Sequence, residues 1–136
     1  MKLELGHRGD YAVRAMLAVA RAPAGRPMSG PAIAAQMGVP ARFLPQITGA
    51  LVRAGLLTSR AGRSGGYQLA RPADRISILD VVEAADGAGR RQTCVLRGGP
   101  CRAQGRCDVH DVFFAAQEAL LGRLREATLA SVVDPP

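Results

Sequence analysis

The chain has 136 residues and a formal net charge of +7, with 48% hydrophobic and 21% charged residues. This length and composition suit one small domain with a hydrophobic core, and they exclude disordered and collagen-like architectures. No stretch approaches the roughly 20 apolar residues of a membrane span, and the first residues lack the apolar core of a signal peptide. We therefore expect a soluble, cytoplasmic protein without a membrane partner.

The basic residues are concentrated in the first part of the chain. Residues 1–75 contain eleven Lys and Arg against three acidic residues, whereas residues 76–136 contain seven Arg against eight acidic residues. Arginine suits phosphate and guanine, although a GC-rich genome would also raise the arginine content without functional meaning. The asymmetry predicts that the first part of the chain binds a polyanion.

Two short helices are predicted first. Residues 10–21 place apolar side chains at helical spacing, and Ser29 is a suitable N-cap for a second helix that Gly38 would end. The apolar stripe predicted for the first helix consists of Val13, Met16, Leu17 and Ala20.

Residues 40–54 form a third helical pattern and complete a helix-turn-helix. Pro45 is tolerated only in the first turn of a helix, so the regular helix is expected to begin nearer Arg42. The N-terminal residues of a recognition helix face base edges. Arg42, Gln46 and Thr48 are therefore predicted to read bases, with Arg directed to guanine and Gln to adenine.

A two-stranded wing is predicted next. Residues 56–59 and 67–69 have strand character and flank a turn rich in Gly and Arg. Glycine lets the backbone approach a phosphate closely. An isolated basic hairpin would more simply be a solvated edge, but its place directly after a helix-turn-helix favours DNA contact. The predicted contacts are Arg60, Arg63, Ser64 and Gly65.

Two further helical patterns flank residues 88–108. Ser77 and Asp80 form a capping-box pattern for a helix that Gly87 would end. Residues 109–127 form the longest pattern, about 28 Å at the usual rise per residue, which is too long for a small domain to cover alone. This pattern predicts a dimerisation helix, with packing against the first helix as the alternative, and Thr128 would cap a final short turn.

The segment between these helices contains all three cysteines, Cys94, Cys101 and Cys107. An odd number of cysteines in a cytosolic chain argues against structural disulfides. Zinc bound by the three thiolates and His110 is chemically reasonable, and an iron-sulfur cluster, which accepts more widely spread ligands, is slightly favoured by the spacing. Three unliganded thiols are the remaining alternative.

These motifs together resemble the winged-helix iron-sulfur transcriptional regulators, the IscR/NsrR-type family. The resemblance covers essentially the whole chain and is carried by GDYAVRAML, LVRAGLL, RAGRSGGYQLARP, ISILDVVEA, the cysteine segment and TLASVV. It implies a mainly α winged helix-turn-helix protein that binds a double-stranded DNA operator as a homodimer and acts as a repressor. It also implies that Cys94, Cys101 and Cys107 hold a 2Fe-2S or 4Fe-4S cluster sensing nitric oxide, redox or iron status.

The resemblance offers two candidates for a fourth ligand. His110, two residues beyond Cys107, matches one arrangement in the family, whereas Asp10 matches a carboxylate supplied by the partner subunit in another. We favour His110, because a ligand from the same chain requires no dimer geometry.

The chain is accordingly expected to consist of three parts: a DNA-binding unit (1–87), a cluster-binding segment (88–108) and a dimerisation segment (109–136). A zinc-bound or metal-free regulator that senses thiol oxidation is the alternative.

Catalytic motifs are absent from the sequence. There is neither a P-loop nor a GxSxG motif, and the two histidines are His7 and His110. We therefore expect that the protein is not an enzyme and has no small-molecule substrate.

Overall fold

The computed structural model describes residues 1–87 and 107–134. This part of the chain is mainly helical and contains one antiparallel two-stranded sheet, as the sequence predicts. The elements in chain order are α1 (His7–Arg21), α2 (Gly30–Met37), α3 (Leu44–Arg53), β1 (Leu57–Arg60), β2 (Gly66–Leu69), a 3-10 turn (Ala73–Arg75), α4 (Ile78–Asp86), α5 (His110–Glu126) and α6 (Leu129–Val133).

The helix ends follow the predicted capping residues. The Ser29 hydroxyl accepts a hydrogen bond from the amide of Ala32 at the start of α2. Gly38 ends that helix in the left-handed region at φ 66°, where glycine is favoured. Ser77 and Thr128 each form a capping box, at the starts of α4 and α6. These local signals are confirmed.

Helix α1 lies at the centre of the core, and its buried face differs from the predicted one. Of the predicted stripe, only Met16 is fully buried, and the other members of the stripe are half-buried. The face that packs most closely contains Ala12, Ala15 and Val19. Four other helices and β2 contact α1, and small side chains let several elements approach one helix at once.

The C-terminal helix α6 closes the core, whereas α5 packs against α4 and lies outside the core. Leu129 is completely buried, and its amide donates to the Ile76 carbonyl at 2.9 Å. The amide of Ile78 donates to the Ala127 carbonyl at 2.8 Å. Helix α5, by contrast, contains no buried residue. Among the described helices, none combines the length and apolar character that a bilayer crossing requires.

Candidate nucleic-acid interface and cysteine site

Helix α3 and the turn before it expose two of the three residues predicted to read bases. The helix begins at Leu44, slightly later than predicted, with Phe43 at the N-cap and Pro45 in the first turn, where a missing N–H leaves no helical hydrogen bond unmade. The apolar face of α3 is buried in the core, while Gln46 and Arg42 are exposed to solvent. Arg42 lies in the turn that leads into the helix.

The prediction for Thr48 is contradicted by its burial. This residue is 1% exposed, so its side chain does not face a groove. Its hydroxyl lies 3.0 Å from the Leu44 carbonyl oxygen, to which it can donate, and 3.2 Å from the Tyr67 hydroxyl. Thr48 therefore joins the recognition helix to the wing. Sequence spacing alone could not reveal this contact, because it depends on a residue 19 positions away.

The wing is formed by four residues from each strand in a regular antiparallel register. Leu57 pairs with Leu69 at the base, and Arg60 pairs with Gly66 next to the tip. At the tip, Arg63 and Ser64 are exposed. Gly65 is sterically required, because a Cβ atom there would lie 2.0 Å from the Arg60 carbonyl oxygen.

A backbone bridge fixes the wing to the segment that precedes α2. The amide of Met28 donates to the Tyr67 carbonyl at 2.9 Å, and the amide of Tyr67 donates to the Met28 carbonyl at 2.8 Å. Gly66 adopts φ 139°, and a Cβ atom there would lie 2.6 Å from the Met28 carbonyl oxygen. This bridge was not predicted, since a single pair of residues produces no periodic pattern. It holds the wing base beside the helix-turn-helix.

Several exposed arginines surround these elements. Within residues 1–87 and 107–134, none of them forms an ion pair with another described residue. Their charges therefore remain available to a polyanion. These arginines are Arg42 in the turn before α3, Arg53 on α3, and Arg60 and Arg63 in the wing.

Asp10, the alternative fourth ligand, is engaged within its own chain. Its carboxylate accepts hydrogen bonds from Arg14, with Nε to Oδ1 at 2.7 Å and Nη2 to Oδ2 at 3.3 Å. Arg14 also donates to the Met37 carbonyl at 3.1 Å, at the C-terminal end of α2. The Asp10–Arg14 pair thus ties α1 to the first helix of the helix-turn-helix.

Cys107 and His110 lie together at the start of α5. The Cys107 thiol is half-buried and free of any disulfide, and the amide of His110 donates to the Cys107 carbonyl at 3.0 Å. The predicted ligands Cys94 and Cys101 lie outside the described residues. Among the residues that are described, no three His, Cys, Asp or Glu side chains form a group able to hold a metal ion.

Helix α5 carries large apolar side chains that the described part of its own chain leaves uncovered. Val112 is 69% exposed and Phe114 is 53% exposed, and Phe113 next to them is also exposed. The His110 ring stacks on Phe114 with ring centroids 6.0 Å apart. Exposed aromatic and aliphatic side chains grouped on one helix are typical of a protein–protein contact.

A helix-turn-helix followed by a basic two-stranded hairpin defines a winged helix-turn-helix DNA-binding protein. The chain belongs to the Rrf2 family, whose pattern, described as "Iron-dependent Transcriptional regulator", matches residues 5–135. The family consists of transcriptional regulators and not of enzymes, so this chain is a DNA-binding transcriptional regulator.

Individual relatives agree with this family membership. The chain is 36% identical over 135 residues to Rv1287 of Mycobacterium tuberculosis, provisionally named an HTH-type transcriptional regulator, with 96% of this chain and 81% of that protein covered. It is 32% identical over 132 residues to the HTH-type transcriptional regulator IscR of Klebsiella pneumoniae, with 97% of this chain and 80% of the relative covered.

Solved structures confirm the fold. The global cysteine regulator CymR of B. subtilis superposes with a TM-score of 0.83 at 22% identity, covering 99% of both chains. IscR of T. potens superposes with a TM-score of 0.80 at 26% identity, covering 98% of this chain and 88% of the other. Both similarities therefore cover nearly the whole chain.

Proposed function

We propose that this regulator binds its operator as a homodimer and represses transcription, and that an iron-sulfur cluster controls its affinity for DNA. The observation that carries the DNA-binding part is the exposure of Arg42 and Gln46 beside an anchored wing whose arginines form no ion pair with described residues. Arg42 would donate to guanine and Gln46 would pair with adenine in the major groove.

The wing would supply contacts that hold the protein on the duplex. Arg60 and Arg63 would neutralise phosphates or enter a minor groove, and such contacts carry affinity and salt dependence more than sequence information. The Ser64 hydroxyl would donate to a phosphate oxygen, and Gly65, whose own amide donates to the Gly62 carbonyl at 3.1 Å, would let the backbone of the tip approach the duplex closely because it has no side chain.

Dimerisation would use the exposed apolar side chains in the first turns of α5. Val112, Phe113 and Phe114 would be covered, at least in part, by the same segment of a second copy, since a two-fold interface uses one surface twice. Each dimer would then present two α3 helices to half-sites roughly one helical turn of DNA, about 34 Å, or a multiple of it apart.

The described end of the cysteine segment fits the chemistry of the proposed cluster. A free, half-buried thiol at Cys107 and an imidazole at His110 lie three residues apart at the start of α5, where the His110 amide donates to the Cys107 carbonyl, and both are known types of iron ligand. Cys94 and Cys101 would complete the set. We propose His110 as the fourth ligand, because a ligand from the same chain requires no dimer geometry. When bound, an iron-sulfur cluster supplies reactivity toward nitric oxide and oxidants, and sensitivity to iron supply.

The position of α5 supplies a route from these ligands to DNA. Cys107 and His110 stand at one end of α5, and its other end is joined to the core through the Ala127 and Leu129 backbone bonds. A change in how Cys107 and His110 are held would therefore act on the proposed dimer helix. A shift of α5 against its copy would alter the distance between the two α3 helices.

The DNA contacts are tested by salt titration of operator binding. Duplexes selected by the whole protein from a random pool provide the operator, and fluorescence anisotropy gives Kd from low to high salt. We expect Arg63→Ala to weaken binding to every duplex and to reduce the slope of log K against log salt by about 1. Arg75→Ala, a matched change at an exposed arginine of the 3-10 turn, should leave the slope unchanged. Equal slopes for the two variants would remove the wing from the interface.

A second candidate is supported by the free thiol of Cys107. A zinc-bound or metal-free protein could sense thiol oxidation directly at these cysteines. Anaerobic purification followed by iron, sulfide and zinc analysis distinguishes the two. Iron with acid-labile sulfide supports the cluster, whereas a colourless protein with zinc or without metal supports the thiol sensor.

A further inference from the structure

An aromatic stack connects the central helix α1 to the start of the recognition helix. The rings of Tyr11 and Phe43 lie nearly parallel, at 19°, with centroids 6.1 Å apart. The Arg42 guanidinium carbon lies 4.7 Å from the centroid of the Phe43 ring. Tyr11 is half-buried against the core, whereas Phe43 is 38% exposed. We call this set the Arg42–Phe43–Tyr11 stack.

Arg42 has no other fixed contact among the described residues. It precedes the first helical residue, Leu44, and it forms no hydrogen bond or ion pair with a described residue. A long arginine side chain in such a turn would sample many rotamers, and ordering it on DNA would cost conformational entropy. Stacking on the Phe43 ring restricts the guanidinium plane, while the N–H groups at its edge stay free to donate.

Phe43 has no polar group of its own with which to recognise a base. Its N-cap position also makes no side-chain capping bond, so a conventional helix-capping role does not explain an aromatic residue there. Its partial exposure is unlike that of the core residues Leu44 and Ile47, which are 4% and 2% exposed. Two contacts are left to explain Phe43: its ring meets Arg42 on the side that faces solvent and Tyr11 on the side that faces the core.

We infer that Phe43 is a positioning residue for base readout, which pre-orders Arg42 for bidentate donation to guanine. Tyr11 supports the Phe43 ring from α1, so the position of the guanidinium is set by a contact with the central helix of the core. This inference rests on the proposed role of Arg42 in reading a base. It assigns part of the sequence selectivity to a side chain that itself touches no base edge.

The test uses the whole protein and its selected operator. Anisotropy competition compares the operator with duplexes carrying each single base-pair change, and Arg42→Ala identifies the base pair that Arg42 reads. We expect Phe43→Leu to reduce discrimination at that base pair by about two- to five-fold, the range of an exposed cation–π contact. Phe43→Tyr should retain the discrimination, because it keeps the ring. Discrimination at the base pair affected by Gln46→Ala should not change.

A double variant separates positioning from a general effect on the fold. In the Arg42→Ala background, Phe43→Leu should cause no further loss of discrimination. Phe43→Met provides a second non-aromatic variant if the leucine variant does not fold.

A uniform loss of discrimination at all base pairs, or the same loss with and without Arg42, would overturn the inference. An effect of Arg42→Ala without any effect of Phe43→Leu would overturn it while leaving Arg42 as a base reader. If Arg42→Ala left every base pair equally discriminated, the proposed readout itself would fail.

Discussion

Removing the Leu129 side chain tests whether the C-terminal helix is part of the core. Leu129 is 0% exposed, and α6 packs against α1 and the 3-10 turn. Buried Leu→Ala changes cost roughly 2–5 kcal/mol, because the transfer free energy is lost and a cavity remains. Since α6 has only five residues, part of the cavity can collapse. We expect Leu129→Ala to lower the free energy of unfolding by about 2–3 kcal/mol.

Urea denaturation followed by circular dichroism, at one fixed protein concentration, measures this change. Val132→Ala is the matched control, because Val132 belongs to the same helix and is 42% exposed. That control should change the free energy of unfolding by less than about 0.5 kcal/mol. Similar small losses for both variants would show that α6 is not held in the core, and the proposed attachment of α5 through Ala127 and Leu129 would lose its basis.

Two further predictions concern the attachment of the wing. Gly66→Ala should lower the free energy of unfolding by more than about 1 kcal/mol, because φ 139° and the close Met28 carbonyl oxygen both oppose a Cβ atom; the control Gly122→Ala, which meets no atom within 4 Å, should not destabilise the protein. Equal stability of these two variants in urea would refute the steric argument. Thr48→Val and Tyr67→Phe should show a coupling energy of about 0.5–1 kcal/mol in a double-mutant cycle, since each removes the same hydroxyl contact. Strictly additive losses would show that this contact contributes nothing to stability.

The ends of the helices could be predicted from the sequence because capping is local. Ser29, Ser77 and Thr128 each bond to an amide three residues away. A stretch of four residues therefore contains the whole interaction. Pro45 in the first turn of α3 follows from the same kind of local constraint.

The packing of α1 could not be predicted in the same way. The sequence DYAVRAMLAVAR is apolar around most of the helix, so a period of 3.6 does not select one face. Which face is buried depends on the elements that surround α1 on several sides. Ala12 and Ala15 are core residues only because neighbouring elements pack closely against α1 at these positions.

Site residues that are exposed could be predicted from the sequence, whereas residues whose position depends on tertiary contacts could not. Arg42, Gln46 and the wing arginines are exposed as expected of DNA-contacting residues. Thr48 had the right spacing but is buried against Tyr67. The bridge between Met28 and Tyr67 joins residues 39 positions apart and leaves no signal in either segment. The cysteine ligands remain predictions, carried by residue type and spacing.

The central claim is tested most directly by comparing operator affinity with and without the cluster. One anaerobic preparation, divided into cluster-loaded and cluster-free portions, is titrated against the same selected duplex at one salt concentration. The account predicts a coloured protein with iron and acid-labile sulfide, and a change in Kd of at least about tenfold between the portions. Equal Kd values, or a colourless protein that takes up no sulfide on reconstitution, would contradict it.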